Sequence, residues 1–234
     1  MAQDYPNLEI VVCDDASPDA TRRILERELE SCPPHIRVVR SDSPTNVGLQ
    51  TMFNRGMDAC TGEVIVIMSG DDISLPERVS RMVEEFDRNP RCMVVCSDWR
   101  TIDADGVEIP GRGCHLRESG VFRYQGIIKH MYAGAPVCGA AASYRATLRD
   151  VFGPMSKGHH AEDNCYWFRG LLTGDIHYVA EPLVLWRSHT QNQSNWDRNL
   201  DTPEERAKFF HFLRKHQNFA PQWRRDLATA MLRS

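Results

Sequence analysis

Short apolar runs alternate with amphipathic stretches along most of the chain. Apolar runs bounded by turn residues are typical of buried strands, and apolar residues spaced three or four apart are typical of helices. The strands that this pattern predicts cover residues 8–13, 36–40, 64–68, 92–98, 140–145 and 176–187. The predicted helices cover residues 18–29, 46–60, 76–88, 124–133, 162–172 and 221–232, and another is predicted to begin at Thr202.

The alternation of strands and helices in the first half of the chain indicates the fold class. Parallel strands need a crossover between them, and a helix after each strand supplies it. We therefore predict an α/β protein with a Rossmann-type, mainly parallel sheet, helices on both faces and further helices at the C-terminal end. We expect a domain over residues 1–195, with halves at 1–98 and 99–195, and a helical appendage over 196–234.

The apolar run Val64–Met68 leads into two adjacent carboxylates. A turn of small residues separates the run from Asp71 and Asp72, and Ser74 with Glu77 matches a capping box that would start the next helix. Carboxylates at the end of a buried strand lie where open α/β sheets bind ligands. Because adjacent negative charges repel, a divalent cation that carries a phosphate group is a candidate occupant. An ordinary acidic first turn of a helix is the alternative.

Three further polar groups fall where predicted elements begin or end. They are Asp14, Asp15 and Asp19 after the first strand, Glu162 and Asp163 at a helix start, and Arg187, Ser188 and His189 after the last strand. The first group and Asp71–Asp72 follow strands of the same predicted sheet, so we expect them along one edge. Helix capping alone is the alternative for the acidic groups, and Asn46 with Gly48 can simply begin a helix.

Histidines invite a metal interpretation that the sequence supports only in part. A lone histidine such as His189 is more often structural than a ligand. His159 and His160 are adjacent, so their side chains would point apart on a helix. We do not expect both of them to bind one metal ion.

Composition and charge exclude several classes of function. The 234-residue chain has a net charge of −4 at pH 7, which gives no basic field for nucleic acid. No apolar segment approaches the roughly 20 residues that span a bilayer, and no secretory signal is visible. The eight cysteines are dispersed without a C-x-x-C pair, which predicts reduced thiols of a cytosolic protein and neither disulfides nor a zinc site.

Taken together, the motifs resemble family 2 glycosyltransferases. Tyr5–Asp19 resembles the start of that family's nucleotide-binding half, and Asn46–Gly56 followed by Thr61–Glu63 is similar to its next segment. Ser69–Asp72 resembles the metal-binding D-x-D element. The later matches are Glu162–Asp163 with Trp167–Arg169 and Gly174, similar to the E-D helix, and Pro182–His189 with Ser194, similar to the R-x-H segment. The resemblance spans residues 3–195 in the family's order.

The resemblance implies a GT-A fold and transfer of a sugar, with inversion, from a nucleotide diphosphate donor to a saccharide or lipid-linked acceptor. Such a reaction would serve bacterial surface polysaccharide or glycoconjugate synthesis, in the cytoplasm or at the inner face of the membrane. The implied nucleotide-binding residues are Asp14, Asp15, Ser17, Asn46 and Gly48, and Asp14 or Asp15 would hydrogen-bond the base.

The resemblance also implies the roles of the remaining site residues. Asp71 would bind Mg²⁺ or Mn²⁺ on the diphosphate, with Asp72 beside it and His189 approaching from the far side. Asp163 would take the proton from the acceptor hydroxyl, a task suited to one carboxylate. The supporting residues on the acceptor side are Glu162 and Arg187.

This chain departs from the family's pattern in two places. Ser69 replaces the first aspartate of the D-x-D element, which should weaken metal binding somewhat. The family also has a strand, a nucleotide-binding loop and a helix before the segment that matches Tyr5, and Met1 falls at the end of that missing helix. We therefore hypothesise a truncated chain or a misassigned start, which would bind donor poorly and leave sheet edges unpaired.

Three other classes of protein share parts of the pattern. A signalling receiver domain would explain the acidic turn after the first strand, but no lysine occurs between Ser69 and Gly120 where a receiver needs one. A nucleotidyltransferase would carry a Gly-rich N-terminal phosphate loop, which is absent. A non-catalytic protein that binds sugar nucleotides stays open because of the missing start.

The acceptor half and the C-terminal end have less recognisable patterns. The acceptor side lies within residues 99–160, where Trp99, His115, Tyr124 and Tyr132 are candidates to stack on a sugar, although core packing is the expected role for most. The aromatic residues of the C-terminal helices are expected to pack against the domain. Pairing of protomers and peripheral contact with a membrane surface are the alternatives.

Overall fold

The computed structural model of the protein describes residues 3–110, 118–123, 138–157, 161–189 and 220–233. Its strands are β1 (Glu9–Asp14), β2 (Arg37–Asp42), β3 (Val64–Val66), β4 (Ile73–Ser74), β5 (Cys92–Ile102), β6 (Gly120–Phe122), β7 (Ala142–Arg145) and β8 (Asp175–Arg187). Its helices are α1 (Thr21–Glu30), α2 (Leu49–Ala59), α3 (Arg78–Arg88), α4 (Thr147–Phe152), α5 (Glu162–Thr173) and α6 (Ala220–Arg233), and a 3-10 turn spans Gly139–Ala141.

Several predictions concern residues outside these ranges. They are the helix over 124–133, the helix that begins at Thr202, and the side chains of His115, Tyr124, Tyr132, His159, His160 and Ser194. The domain boundaries at 98 and 195 also stay predictions.

The described strands form two sheets, which differs from the single sheet expected. β1 and β2 pair in parallel, from Glu9 opposite Arg37 to Asp14 opposite Asp42. The larger sheet has the order β3-β7-β5-β8-β4, with β6 also paired to β8. The acidic turn after β1 and the acidic pair after β3 therefore follow strands of different sheets. Glu9 of β1 joins the smaller sheet to the turn before β3, because its carboxylate accepts hydrogen bonds from the Gly62 N–H (2.9 Å) and the Thr61 hydroxyl (3.0 Å).

The α/β class is confirmed, but the larger sheet is mixed and not mainly parallel. Only β5 and β8 pair in parallel in this sheet, whereas β7, β4 and β6 join it antiparallel. An apolar run such as that of β7 predicts a buried strand but carries no information about strand direction. Pro182 falls at a register shift of the β5–β8 pair, where a residue without an N–H is tolerated.

Helices cover both faces of the larger sheet, as predicted. Successive side chains of a strand point to opposite faces, and Val94 and Val95 of β5 accordingly belong to different core clusters. Val94 packs in the cluster that contains Trp167 of α5. Val95 packs in the cluster that contains Met82 and Phe86 of α3. Burial of these side chains fixes α3 and α5 against the strands whose ends carry the site residues.

The start of α3 differs from the capping box that the sequence suggested. Ser74 belongs to β4, and the helix begins at Arg78 without a cap from its own side chains. Gln3 takes that role instead, because its side-chain oxygen accepts from the Val79 N–H (3.3 Å) and its amide donates to the Leu75 carbonyl (2.8 Å). A partner this distant in sequence leaves no local signal.

The C-terminal helix α6 packs against α5. Asp226 pairs with Arg169 (3.1 Å), and both side chains are fully buried. Trp223 stacks on Phe168 with ring centroids 4.9 Å apart. The predicted helix over 221–232 is confirmed, and it supports the helix that begins with Glu162 and Asp163. No helix among the described residues combines the length and the apolar character that crossing a bilayer requires.

Candidate active site

The loop that carries Asp71 and Asp72 is held by the larger sheet at both ends. Before the loop, the Ile67 N–H donates to the Ala142 carbonyl (3.0 Å), which extends the β3–β7 ladder. After the loop, β4 pairs with β8. The acidic pair therefore follows a strand, as the sequence predicted, but this strand is shorter than expected and is buried only at Ile65.

The end of β8 contacts this acidic loop. The backbone N–H of Arg187 donates to Asp72 Oδ1 (2.7 Å), and Arg187 Nε donates to the Asp71 carbonyl oxygen (2.8 Å). His189 Nε2 lies 3.2 Å from Asp71 Oδ2. Two groups that lie far apart in the sequence are thus in direct contact.

Asp72 has one carboxylate oxygen that is buried and accepts no hydrogen bond, its Oδ2 atom. Burial, together with the charge of Asp71, raises the pKa of Asp72 to about 6, and hydrogen bonds from Arg187 and Ser69 limit this rise. A buried oxygen without a partner is unusual and calls for an occupant. A hard cation would satisfy it, so these residues fit the divalent ion that the resemblance implies.

The carboxylates alone do not complete a metal site. Within the described ranges, no group of three or more His, Cys, Asp and Glu side chains is arranged to hold a metal ion. Mg²⁺ sites on phosphate substrates commonly use one or two carboxylates and take the remaining ligands from phosphate and water. The arrangement of Asp71 and Asp72 agrees with a cation that arrives with a diphosphate.

Glu162 and Asp163 form the first turn of α5. Burial raises the pKa of Glu162 to about 8, and the neighbouring Asp163 adds to this rise. Burial also raises the pKa of Asp163, against hydrogen bonds from the Asn164 backbone N–H (2.7 Å) and side-chain amide (3.2 Å). Carboxyl groups whose pKa values move toward neutrality are suited to proton transfer.

The segment that precedes β7 lies close to both acidic pairs. A Cβ atom on Gly139 would come within 2.7 Å of Glu162 Oε1, so the present position of this carboxylate depends on a glycine. Burial raises the pKa of the Cys138 thiol to about 12, and the charges of Asp163 and Asp72 both add to the rise. The segment thus contacts Glu162 at Gly139, and Arg78 joins it to the strand that leads to Asp72, through the carbonyl oxygens of Ala140 (2.8 Å) and Ile67 (2.7 Å).

The nucleotide-binding candidates form a second cluster. Asp15 accepts hydrogen bonds from the backbone N–H groups of Val47 and Gly48, both at 2.7 Å, and the Asn46 amide donates to the Asp15 carbonyl oxygen at 3.4 Å. Gly48 has a φ of +87°, a conformation that favours glycine, and it caps α2. The carboxylate of Asp15 thus ties the turn after β1 to the start of α2.

Asp14 is buried and bonded within its own turn. Its Oδ1 accepts from the Ser17 N–H (3.3 Å), and its Oδ2 pairs with Arg22 (3.3 Å). Hydrogen bonding from the Ser17 side chain lowers the pKa of Asp14, and Arg22 lowers it further. Contact of Asp14 or Asp15 with a nucleoside base stays a prediction. No described hydrogen bond or ion pair joins this cluster to Asp71 or Asp72.

Sequence reasoning missed two residues beside the site, Arg78 and Gly139. Arg78 is fully buried and bonds to backbone carbonyls next to the acidic loop. A charged residue in the first turn of an amphipathic helix normally faces water, so the pattern gave no signal. The role of Gly139 depends on α5 lying against it, which no local motif encodes.

Solved structures share this architecture. The chain aligns with the crystal structure of S. aureus TarS 1–349 in complex with UDP at a TM-score of 0.61, over 99% of this chain and 64% of that one, with 18% sequence identity. The crystal structure of S. aureus TarS gives the same TM-score over 80% of this chain and 32% of that one. The fold is therefore that of a GT-A-type glycosyltransferase.

The sequence comparison defines the family. The profile of Glycosyl transferase family 2 matches residues 1–152. The chain is 30% identical to the Bacillus subtilis protein EpsE, named a glycosyltransferase, over 72% of this chain and 58% of that protein. It is 26% identical to an uncharacterized glycosyltransferase of Nostoc sp. over 89% of this chain and 64% of that protein. The chain belongs to glycosyl transferase family 2 and spans less than two thirds of the length of these two relatives.

Proposed function

We propose that the chain transfers a sugar from a nucleotide diphosphate-sugar to an acceptor hydroxyl, with inversion at the anomeric carbon and with Mg²⁺ or Mn²⁺ as cofactor. The observation that carries the proposal is the position of two acidic pairs at one end of the β3–β7 ladder. Asp71 and Asp72 continue from β3, and Glu162 and Asp163 lie against the turn before β7.

The first pair supports binding of the donor's diphosphate. Asp71 and Asp72 Oδ2 offer carboxylate oxygens for a hard cation, and His189, 3.2 Å from Asp71 Oδ2, would be a further ligand. A divalent ion held by these residues would neutralise the negative charge that develops on the departing diphosphate. Arg187 holds the loop in place through its backbone N–H and its guanidinium.

The second pair supports activation of the acceptor. Asp163 would accept the proton of the acceptor hydroxyl while the hydroxyl oxygen bonds to the anomeric carbon and the bond to the diphosphate breaks. Burial brings the pKa of Asp163 closer to neutral pH, and a general base works best when its pKa lies near the pH of the reaction. One displacement from the face opposite the leaving group inverts the anomeric centre.

Named relatives support the class of product. The chain is 32% identical to the chondroitin synthase of Escherichia coli over 44% of this chain and 15% of that protein. We propose a saccharide or lipid-linked acceptor in polysaccharide or glycoconjugate synthesis, at the cytoplasmic face of the membrane. UDP, which is bound in the TarS structure, is the nucleotide to test first.

The proposal is tested by binding and by turnover. Isothermal titration with UDP and Mn²⁺ should show binding that requires the metal ion, and a screen of nucleotide sugars should show release of nucleoside diphosphate. Asp163→Asn should keep UDP and Mn²⁺ binding and lose roughly 100-fold or more in transfer rate. Asp150→Asn is the matched control, because its carboxylate lies on α4 and is 59% exposed.

Each outcome separates the proposed enzyme from another class of protein. Absence of UDP and Mn²⁺ binding by the unchanged chain would contradict the proposal. Binding without turnover of any donor would indicate a protein that only binds sugar nucleotides. Equal transfer rates for Asp163→Asn and Asp150→Asn would remove Asp163 from the role of base.

A further inference from the structure

Arg78 is a charged residue at the start of α3 with 0% exposure. Its Nη2 atom donates to the carbonyl oxygens of Ile67 (2.7 Å) and Ala140 (2.8 Å), with Ala142 at 3.4 Å. Its Nη1 atom lies 3.5 Å from the sulfur of Met68. All of these partners lie on the two segments that lead to the acidic pairs.

These carbonyls lie where two paired segments separate. The last backbone bond of the β3–β7 ladder runs from the Ile67 N–H to the Ala142 carbonyl. Beyond it, one segment continues to Asp71 and Asp72, and the other leads back through Gly139 to the side chain of Glu162. At such a fork, the carbonyl groups no longer accept hydrogen bonds from the N–H groups of a paired strand. Buried carbonyl groups then need other donors. The guanidinium of Arg78 supplies donors to both segments at once.

The cost of burying this charge indicates a specific role. Burial lowers the pKa of Arg78 to about 10, which leaves it protonated at neutral pH. No described residue forms a salt bridge with it, and its Nε atom has no hydrogen-bond partner. The charge of Asp72 favours the protonated form of Arg78, but a buried cation without a direct ion pair is still expensive relative to an apolar side chain of similar volume. Helix packing alone would not need such a group.

We propose that Arg78 is a positioning residue that fixes the cation-binding aspartates relative to the proton-accepting carboxylates. The inference rests on the proposed function, since it assigns Arg78 a task within that site. Its Nη2 atom donates to both diverging segments, and the planar guanidinium holds that nitrogen in a fixed orientation, whereas a lysine ammonium lies at the end of a flexible stem. Without this bridge, the loop of Asp71 and the turn of Gly139 can move independently.

The test compares Arg78→Lys with Arg145→Lys. Lysine keeps the positive charge, so a changed metal affinity reports geometry and not charge. Arg145 is the matched control because its Nε and Nη2 atoms also bridge backbone carbonyls, those of Cys92 and Phe86, each at 2.8 Å. Arg78→Gln keeps an N–H donor, removes the buried charge and serves as a second variant should the lysine variant fold poorly.

Two measurements give the result without requiring turnover. Electron paramagnetic resonance of free Mn²⁺ in the presence of UDP should show about tenfold weaker Mn²⁺ binding in Arg78→Lys and Arg78→Gln, the usual effect of losing an outer support of a metal site. Hydrogen–deuterium exchange should become faster in residues 66–72 and also in 139–144. Arg145→Lys should change neither the Mn²⁺ affinity nor exchange in these two segments.

The possible failures are distinguishable. If the unchanged chain binds no Mn²⁺ with UDP, the proposed function is wrong and the role of Arg78 falls with it. If the unchanged chain binds and Arg78→Lys and Arg78→Gln bind equally well, only the role of Arg78 is wrong. A lower folded fraction with unaltered Mn²⁺ affinity of the folded molecules would make Arg78 a packing residue and would also overturn the inference.

Discussion

His189 Nε2 lies 3.2 Å from Asp71 Oδ2, although 118 positions separate the two residues in the sequence. The contact arises because β8 runs beside the acidic loop and ends there, with the Arg187 N–H bonded to Asp72. Both side chains are partly exposed, at 27% for His189 and 41% for Asp71, so solvent and ligands reach them. An imidazole and a carboxylate in this position can bind one cation from two elements of the fold.

We expect His189→Ala to weaken Mn²⁺ binding in the presence of UDP by about tenfold or more, because the ion would lose a ligand or a direct neighbour of its ligand Asp71. Titration calorimetry at constant pH measures the change. His35→Ala is the control, since His35 is exposed and lies in the turn before β2. Equal Mn²⁺ affinity of the two variants would show that His189 neither binds the ion nor supports Asp71 as its ligand.

Glu162 predicts a pH dependence of stability. Its pKa is about 8 in the folded protein against an ordinary value of 4.5, so the folded state holds a proton that the unfolded state releases. The unfolding free energy should therefore fall as the pH rises from about 4.5 to about 8. Glu162→Gln removes this titration, and its gain in stability over the unchanged chain should be small at pH 4 and on the order of 2 kcal/mol at pH 8.

Urea unfolding at several pH values measures this difference. Glu30→Gln, at the exposed end of α1, is the control and should give a difference that does not vary across the same range. A constant difference for Glu162→Gln as well would mean that Glu162 is ionised in the folded protein near neutral pH. The carboxyl pair would then lack the shifted proton affinity assigned to it.

The sequence predicted the parts of the site that depend on local patterns. Carboxylates at strand and helix ends follow from apolar runs and small-residue turns, and this reasoning located Asp71, Asp72 and Asp163 correctly at element ends. The meeting of Asp71 with His189 required the order of motifs known from a family, because no local rule pairs residues so far apart. The family itself is confirmed by the profile match.

The rest depends on tertiary contacts that leave no local trace. The sequence did not indicate that β7 enters the sheet antiparallel, since a buried apolar run reads the same in both directions. It assigned Asp15 to a nucleoside base, while the fold also uses this carboxylate to hold the N–H groups of Val47 and Gly48. Arg78 was invisible for the same reason, because its burial is created by segments distant in the chain.

Gly139→Ala should separate the two halves of the site. A Cβ atom there would meet Glu162 Oε1 at 2.7 Å, so the carboxylate of Glu162 must move away from its place beside Asp163. Because Glu162 lies directly beside the proposed base Asp163, its displacement should lower the transfer rate, by roughly 100-fold at most, with unchanged Mn²⁺ affinity. Gly120→Ala is the control, since a Cβ at that position meets no atom within 4 Å. Wild-type transfer rates in Gly139→Ala would contradict the close packing of this turn against the carboxylates.

Asp226→Ala should destabilise the fold through the helix that carries Asp163. Asp226 is 1% exposed and accepts hydrogen bonds from Arg169 (3.1 Å) and Gln222 (2.8 Å), so its removal leaves a buried guanidinium without a counter-charge. We expect a loss of about 3–5 kcal/mol in urea unfolding, and the double variant Arg169→Met/Asp226→Leu should recover most of it. Glu181→Ala breaks the exposed pair with Arg81 and should cost about 1 kcal/mol or less. Similar losses for the two single variants would show that α6 does not hold α5 through this buried pair.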